Sequence, residues 1–384
     1  MFYILHSVLF TSRCITTVRV FSSFLTKPYV VFFMADLGSQ LGVAVIGAGA
    51  MSRERMRLFK LLKRPITAIY SHHSDKAMEL VKEFELEGQT KVFDSISSFW
   101  EYEKSSYVYI ATPDDTHCHY ILEALRNHRH VMVENMLARS ILELAEIQDA
   151  IHQYQMVVME TNPLLSSPLL NYLGQNIQNS HSFEDIGVAN TVCISLCDVM
   201  GKRKKFREIS GDFSERYKGV VYTLGRYAVG AAVSLLGSNL ELLNTYKEIS
   251  PKTGIDNSAS VILRNNDTSA VINMSFLSCL PNILDIGGES GYYSIRDFAF
   301  SQGYKTCMID GSPMYDHDFR DNIAKDIGIS KKMLKSDIEY SLAMEIIKFE
   351  KAVAAGYKIC YDRNLNHFIE TKAVLRILLE IMAD

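Results

Sequence analysis

Two glycines close a short apolar run near the start of the chain, in the stretch VAVIGAGAMS (43–52). Gly47 can form the tight turn out of a strand, Gly49 lets a pyrophosphate approach a backbone without a Cβ, and Ser52 is small enough for close helix packing. The helix that follows would present free N–H groups and a positive dipole end to phosphates. The alternative is a purely structural glycine turn. We predict dinucleotide contacts at Gly47, Ala48, Gly49, Ala50 and Met51.

The end of the second strand, about 20 residues further on, decides between the two nicotinamide dinucleotides. The chain reads Ser71-His72-His73-Ser74 there, with no carboxylate before Asp75. A carboxylate would hold the ribose 2′-hydroxyl of NAD and repel a 2′-phosphate, so its absence favours NADP over NAD. Ser71 and His72 are the predicted contacts, and the alternative is that both histidines are solvated loop residues.

Polar residues at three later points could reach the same cofactor. Thr112 and Pro113 end the apolar run YVYIAT, where the nicotinamide ribose would pass, and His117 opens the next helical stretch. Glu134 ends the run HVMVE, where a buried carboxylate is costly unless it is paired. Thr112, Pro113 and His117 are predicted cofactor contacts, although a proline can simply stop a strand and a histidine can begin any helix. The cost of burying Glu134 favours a functional role for it.

The elements that must position these residues follow from the regular alternation of short apolar runs with helical stretches between residues 41 and 161. Such alternation implies parallel strands joined by right-handed crossovers. We therefore predict the fold class α/β, with an amino-terminal doubly wound parallel sheet of the Rossmann type over residues 38–160.

The pattern changes after Pro163. Successive strand patterns without helices between them, from SASVILRNN (258–266) to YYSIRDFAF (292–300), indicate an antiparallel or mixed sheet. Residues 161–384 are predicted to form a second domain of the α+β class. Its tail is helical by pattern, and these helices could pack back on the first domain.

The composition is that of an ordinary globular protein and narrows the class of partner. The 384 residues carry a net charge of −4 and no basic patch dominates, which argues against a nucleic-acid partner. No apolar run reaches the roughly 18 residues that a membrane span needs, so no membrane partner is predicted. The seven cysteines contain no C-x-x-C pair and fit reduced thiols inside a cell, so we predict no metal site. The predicted partner is a small-molecule substrate.

Residues 1–33 differ from the rest of the chain, with no acidic side chain and three basic ones. They fit a mitochondrial transit peptide, a secretory signal, or a start assigned too early, with Met34 as the true first residue. We prefer the third interpretation and expect this segment to be poorly ordered. The predicted compartment is the cytoplasm, with the mitochondrion as the alternative.

Ordered landmarks along the chain are similar to those of the Gfo/Idh/MocA family of NAD(P)-dependent oxidoreductases. VIGAGAMS (45–52) is followed by AIYSHHSDKA (68–77) and by ATPDDTHCHYILEAL (111–125), which resembles the family segment A-T-P-x-x-x-H. HVMVENMLA (130–138) lies at the place of V-E-K-P-L-A, and GVVYTLGRYAVGAAVSLLG (219–237) at that of a G-x-L-x-D-x-G-x-H helix. The resemblance extends from about residue 41 to the carboxyl terminus.

The resemblance implies a Rossmann domain and an α+β domain with a large open, mostly antiparallel sheet, whose exposed face commonly forms the oligomer. It also implies hydride transfer between a nicotinamide and a sugar, a polyol or a related small alcohol or carbonyl, bound between the domains. Glu134 would lie near the nicotinamide ribose. The expected cofactor is NADP or NAD, and the expected assembly is a homo-oligomer.

Three catalytic positions of the family are altered in this chain. The lysine of E-K-P is Asn135, with Met136 in place of the proline, and the later helix carries Thr223 and Tyr227 instead of aspartate and histidine. Reduction of a carbonyl needs a proton source, which a tyrosine can supply and an asparagine cannot. In one interpretation, the protein is a reductase with Tyr227 as proton donor and Asn135 as a hydrogen-bonding orienter. In the other, it is a dinucleotide-binding sensor or regulatory protein.

Overall fold

A computed structural model describes residues 41–102, 105–197, 219–265, 268–278, 281–309 and 315–384. The predictions about residues 1–33 concern a segment outside these ranges. Within them, no helix is long and apolar enough to cross a membrane.

Six parallel strands form the first sheet: Val43–Ile46 (β1), Ile66–Tyr70 (β2), Lys91–Phe93 (β3), Tyr107–Ile110 (β4), His130–Glu134 (β5) and Val158–Thr161 (β6). Their spatial order is β3-β2-β1-β4-β5-β6, so the direction of winding reverses between β1 and β4. In open α/β sheets, ligands bind outside the carboxyl ends of the strands at this switch point. The arrangement confirms the predicted doubly wound sheet.

Helices cover both faces of the first sheet: Ala50–Leu61 (α1), Ser74–Glu83 (α2), Ile96–Trp100 (α3), His117–Arg126 (α4) and Ile141–Tyr154 (α5). Every residue of β1 and β4 is buried, as expected for central strands with helices on either side. On one face, Val43 and Val45 share a core with Met56 and Phe59 of α1. This packing fixes the start of α1 directly above the end of β1.

The second sheet follows helix Pro168–Ser180 (α6) and a short antiparallel pair, Ser182–Phe183 (β7) and Gly187–Val188 (β8). Its eight strands are Thr191–Cys197 (β9), Glu241–Ile249 (β10), Asp256–Asn265 (β11), Thr268–Ser275 (β12), Ile283–Gly287 (β13), Gly291–Arg296 (β14), Gly303–Met308 (β15) and Tyr315–Asp318 (β16). They lie in the order β10-β11-β12-β9-β13-β14-β15-β16, and every pair is antiparallel except β9 with β12. The structure confirms the mostly antiparallel sheet.

Helices complete the second domain: Arg226–Leu236 (α7), Arg320–Ile327 (α8), Asp337–Ala355 (α9), Tyr357–Asp362 (α10) and Phe368–Ala383 (α11). A π-helical turn at Val221–Gly225 leads into α7, which packs against α6, α11 and strand β12. Helix α9 instead lies against α1 of the first sheet, where Arg64 forms two bonds of 2.7 and 2.8 Å with Glu350. The last part of the chain therefore contributes to the packing of the first domain.

Candidate active site

The glycine turn after β1 requires a glycine at its first position. Gly47 has φ of +107°, and a Cβ placed on it would lie 2.4 Å from the Ala111 carbonyl oxygen at the end of β4. The Gly47 N–H donates to the Tyr70 carbonyl at 2.8 Å, and the buried Ser52 hydroxyl donates to the Gly47 carbonyl at 2.9 Å. The turn is thus held to both neighbouring strands, with its backbone at the edge of the sheet.

The second glycine of the turn lies beside open space. Gly49 is extended, and a Cβ built on it would have nothing within 4 Å. Helix α1 begins at Ala50 without a side-chain cap and without an acidic residue in its first turn. Ala48 is half-buried, whereas Ala50 and Met51 are exposed. Uncapped N–H groups, a positive dipole end and a clear approach fit the pyrophosphate of a dinucleotide.

The end of β2 carries a serine and an imidazole held by tyrosines. The Ser71 hydroxyl is buried and accepts the His73 N–H at 3.1 Å. His72 lies with Nδ1 3.2 Å from the Tyr70 hydroxyl and Nε2 3.3 Å from the Tyr120 hydroxyl. The orientation of the His72 ring is therefore fixed by two phenols, although the residue itself is exposed.

The loop that follows β4 is held by hydrogen bonds of its own side chains. The hydroxyl of Thr112 lies 2.7 Å from that of Thr116, in a 3₁₀ turn that begins after Pro113. His117 is only 1% exposed, with its ring nitrogens 2.9 Å from the Thr112 carbonyl and 2.8 Å from the Met136 carbonyl. The imidazole joins the loops after β4 and β5. A cofactor contact at His117 stays a prediction, and the two distances indicate that the ring also positions these loops.

Glu134, at the end of β5, is tied to a buried cation beneath it. Its Oε1 accepts from Arg55 Nη2 at 3.0 Å and from the Tyr109 hydroxyl at 2.5 Å. Arg55 is 0% exposed and also donates to Glu345 of α9 at 2.9 Å and to the Leu342 carbonyl at 2.9 Å. The paired carboxylate meets the condition under which its burial is tolerated.

The charges of this cluster follow from its burial. Burial alone would lower the pKa of Arg55, but the charges of Glu345 and Glu134 raise it, so the guanidinium remains protonated. Burial and then the charge of Glu134 raise the pKa of Tyr109, so its phenol keeps the proton that it donates. Burial also raises the pKa of Glu345, even though Arg55 opposes that shift.

Asn135 takes part in a second, different cluster on the opposite face of the sheet. Its Nδ2 donates to Glu160 Oε1 at 2.7 Å, and the Leu137 N–H donates to Glu160 Oε2 at 2.6 Å. The peptide bond between Asn135 and Met136 is cis. Burial raises the pKa of Glu160 to about 7, against the two hydrogen bonds and the charge of Arg226, which lower it. Perturbed carboxyls of this kind are common at functional sites.

Arg226 connects the two predicted catalytic residues. Its Nη1 donates to the Asn135 carbonyl at 3.0 Å, and its Nη2 lies 3.4 Å from the Tyr227 hydroxyl. The guanidinium carbon is 5.0 Å from the centre of the Tyr227 ring. The main-chain carbonyl of Arg226 in turn accepts from Asn162 Nδ2 at 3.5 Å, just beyond β6. The structure thus brings Asn135 and Tyr227 to one guanidinium at the carboxyl edge of the sheet.

The segment that carries Tyr227 is anchored at its start. The Val221 N–H donates to Asp256 Oδ2 at 2.7 Å, and the Tyr222 hydroxyl donates to Asp114 in the loop after β4. A Cβ on Gly225 would lie 2.8 Å from Leu378 of α11, so a small residue serves helix packing there. These contacts hold the start of the segment at the loop after β4 and pack it against α11.

The sequence analysis did not identify three residues that connect the two clusters to their neighbours: Arg55, Glu160 and Arg226. Each nevertheless left a signal in the sequence. Arg55 interrupts the apolar face of α1, and Glu160 stands in the apolar run MVVMET. A charged residue at a position that periodicity assigns to the core indicates a buried pair or a functional group. Arg226 gave the weakest signal, since arginine is ordinary at the start of a helix.

Comparisons with known proteins agree with this geometry. The family model of Gfo/Idh/MocA, an oxidoreductase family with an NAD-binding Rossmann fold, matches residues 41–162. The uncharacterized oxidoreductase YgjR of Escherichia coli (strain K12) is 24% identical over 278 residues, which cover 71% of this chain and 81% of that protein. The scyllo-inositol 2-dehydrogenase (NADP(+)) IolU of Bacillus subtilis (strain 168) is 23% identical over 229 residues, or 59% of this chain and 66% of that protein.

Solved structures share the whole fold. A variant of KijD10, a 3-ketoreductase from Actinomadura kijaniata in complex with TDP-benzene and NADP, has a TM-score of 0.66 at 16% identity, covering 89% of this chain and 97% of that one. An oxidoreductase from Agrobacterium radiobacter in complex with NAD+, L-tartaric acid and magnesium has a TM-score of 0.68 at 15% identity, covering 90% of this chain and 97% of that one. At these identities, the likeness establishes the two-domain architecture.

Proposed function

We propose that the protein transfers a hydride between NADP or NAD and a small substrate, because residues 41–162 match the model of the Gfo/Idh/MocA family of oxidoreductases. The substrate class is a sugar, a polyol or a related alcohol or carbonyl. The observation that supports the proposal best is the glycine turn. Gly47 fits only as glycine, and Gly49 leaves a clear approach to the uncapped start of α1.

Residues at the ends of β2, β4 and β5 would bind the rest of the cofactor. Ser71 and His72 lie where the adenosine ribose would bind, and Thr112, Pro113 and Glu134 line the edge towards the nicotinamide. His117 would also fix the loops that carry Thr112 and Met136. These contacts are proposals derived from the position of each residue at the carboxyl edge of the sheet.

Tyr227 and Asn135 have different roles in the proposed chemistry. The bound nicotinamide supplies or accepts the hydride at the reacting carbon. In reduction, the Tyr227 hydroxyl gives a proton to the carbonyl oxygen as the new C–H bond forms, and in oxidation it receives that proton. Asn135 cannot titrate, but Glu160 and Arg226 fix its side chain and its carbonyl. It therefore orients the substrate.

NADP is the proposed cofactor of choice. The Ser71 hydroxyl and two imidazoles lie at the end of β2, with no carboxylate ahead of α2. The first carboxylate after β2 is that of Asp75, inside the first turn of α2, so the loop itself brings no negative charge to a 2′-phosphate. We expect a lower Kd for NADPH than for NADH in a fluorescence titration, and Ser71→Asp should reverse that order because a carboxylate repels the phosphate and binds a ribose hydroxyl. Equal affinities in the unaltered protein would contradict the assignment.

Gly49→Asp tests the proposed cofactor site. Its carboxylate would enter the space for the pyrophosphate, so the Kd for NADPH should rise by about 30-fold or more. Because a Cβ at Gly49 meets nothing within 4 Å, the thermal unfolding midpoint should stay within a few degrees. Ser97→Asp, which adds the same charge at an exposed position of α3, should leave the affinity unchanged. Unaltered NADPH binding by Gly49→Asp would refute the site.

A second candidate function is a dinucleotide-binding sensor or regulatory protein. It is favoured by Asn135, because the family lysine is replaced by an amide whose nitrogen is already bonded to Glu160 at 2.7 Å. The two functions differ in turnover. A protein that binds NADPH yet oxidises or reduces none of a broad panel of sugars and polyols would be the sensor, whereas turnover that falls at least about 100-fold in Tyr227→Phe identifies the enzyme.

The second sheet is the proposed surface for a homo-oligomer. Its outer face and edge expose apolar side chains, including Tyr246, Ile262 and Tyr292. Exposed apolar area on a sheet commonly marks an association surface. Light scattering after size-exclusion chromatography should give a mass above that of the single chain, and Ile262→Lys should reduce it. A monomer in both cases would refute the proposal.

The compartment stays a prediction. We propose the cytoplasm, or the mitochondrion if residues 1–33 are a transit peptide. Mass spectrometry of the native amino terminus distinguishes a start at Met34 from a chain cleaved after import.

A further inference from the structure

Arg226 is a cation whose hydrogen-bond partners among the described residues are all neutral. Its guanidinium contacts the Asn135 carbonyl at 3.0 Å and the Tyr227 hydroxyl at 3.4 Å. Among the described residues, no carboxylate forms an ion pair with it. Its Nε is buried and has no acceptor within the same part of the chain. Buried donors are nearly always satisfied, so an unused donor on a charged group needs an explanation.

The nearest acidic side chains do not supply the missing charge. Both oxygens of Glu160 are taken, by Asn135 Nδ2 and the Leu137 N–H. Burial raises the pKa of Glu160 to about 7, so near neutrality a large fraction of it is uncharged. Glu134 is committed to Arg55 and Tyr109 on the other face of the sheet. Arg226 acts on Glu160 only at a distance, by lowering its pKa, so the donors of the guanidinium are free of any direct carboxylate partner among the described residues.

Arg226 also lies beside both residues proposed for catalysis. Its guanidinium contacts the Asn135 carbonyl, just after β5, and lies beside the ring and hydroxyl of the proposed proton donor Tyr227. An arginine presents a planar set of donors that matches a carboxylate, and a charge-assisted bond in a partly buried site is stronger than a neutral one. A dianionic phosphate would suit the place less well, because a single cation would face two negative charges.

We propose that the substrate carries a carboxylate that binds Arg226, as in a sugar acid or another small hydroxy or oxo acid. This inference rests on the proposed oxidoreductase function and narrows its substrate class. The anchored carboxylate would place a nearby hydroxyl or carbonyl oxygen at the Tyr227 hydroxyl, because guanidinium and phenol are adjacent. Arg226 is thus the residue that selects acids over their neutral counterparts.

The test compares matched pairs of compounds on the full chain loaded with NADP. Galacturonate is compared with galactose, gluconate with glucitol, and galactose 6-phosphate serves as the phosphate arm. Affinity for the loaded protein is measured by calorimetry, and turnover by nicotinamide absorbance. At least one carboxylate should bind about 30-fold more tightly than its neutral partner, and Arg226→Gln should abolish that difference.

Two control variants separate selectivity from structure. Arg226→Lys keeps the charge and should retain part of the preference for acids, whereas a purely structural role would change acid and neutral compounds alike. Arg264→Gln removes an exposed cation from β11 and should leave the preference intact. NADPH affinity is measured for the unaltered protein and for every variant. If the unaltered protein does not bind NADPH, the proposed function itself is refuted. Equal binding of acids and neutral compounds, tighter binding of the phosphate, or no binding of any acid to a protein that binds NADPH would each overturn the carboxylate proposal.

Discussion

Glu134 and Glu160 end neighbouring strands, yet their surroundings are opposite. Val133 is the register partner of Glu160, so Glu134 and Glu160 point to different faces of the sheet. On one face, Glu134 meets the buried cation Arg55 at 3.0 Å. On the other, the bonds to Glu160 come from an amide and a backbone N–H. One carboxylate is paired by a permanent charge, and the other is held by neutral donors.

The difference separates a structural role from a chemical one. The cluster of Arg55, Glu134 and Glu345 joins α1, β5 and α9, and its cation stays charged at all ordinary pH. Glu160 has a pKa raised by burial to about 7, next to the residue in place of the family lysine. Burial raises the pKa of Glu345 to about 7 as well, so the position of Glu160 beside Asn135, and not the shift alone, supports a chemical role for it.

Breaking the first cluster should have the largest effect. Arg55→Met leaves Glu134 and Glu345 buried without their shared cation and should cost about 3–5 kcal/mol of unfolding free energy. Urea denaturation followed by circular dichroism measures the loss. Arg53→Gln removes an exposed pair from the same helix and should cost no more than about 1 kcal/mol. Equal losses in the two variants would mean that the buried cluster is not held by its charge.

The second cluster should instead make the unfolding free energy depend on pH. The pKa of Glu160 is about 7 in the folded protein against an ordinary 4.5, so its contribution to stability is complete below about pH 4.5 and is lost as pH rises to about 7. That loss is about 3 kcal/mol. Glu160→Gln should remove this slope, which urea midpoints at pH 5, 6, 7 and 8 would show. The shift of Glu345 persists in both proteins, so only the difference between them reports on Glu160. Parallel curves would contradict the assignment.

Asn135→Lys should make the second cluster resemble the first. A cation beside Glu160 favours its ionised form, so the pKa of that carboxyl should fall. The unfolding free energy that is lost between about pH 4.5 and 7 should then shrink by about 1 kcal/mol. The uncharged variant Asn135→Met is the control for side-chain length and should not lower that pKa. A full slope retained in Asn135→Lys would show that the new ammonium group turns away from Glu160.

Local patterns were enough to predict the glycine turn between β1 and α1. The glycine turn, the strands that flank it and the missing carboxylate after β2 are all encoded within about 30 neighbouring residues. Strands β13, β15 and β16 were not anticipated, because each is short and contains glycine or aspartate, which are rare in strands. The fold class was predictable because it depends on the order of elements and not on their exact ends.

The contacts of Arg55 and Arg226 could not be predicted in the same way, because they join residues that are far apart in the sequence. Arg55 and Glu345 are 290 residues apart, and Arg226 and Asn135 are 91 apart. No period or motif connects such positions. The sequence indicated Asn135 and Tyr227 through the family pattern, but the guanidinium between them and the carboxyl behind Asn135 emerge only in three dimensions.

Helix α9 has a consequence for the order in which the protein is made. It supplies Glu345 to Arg55 and Glu350 to Arg64, both of which belong to the first domain. On the ribosome, the glycine turn and all six parallel strands are synthesised long before residues 337–355 leave the exit tunnel. The nascent first domain therefore holds Arg55 with only one of its two carboxylate partners, Glu134, and Arg64 without Glu350, until α9 has been synthesised.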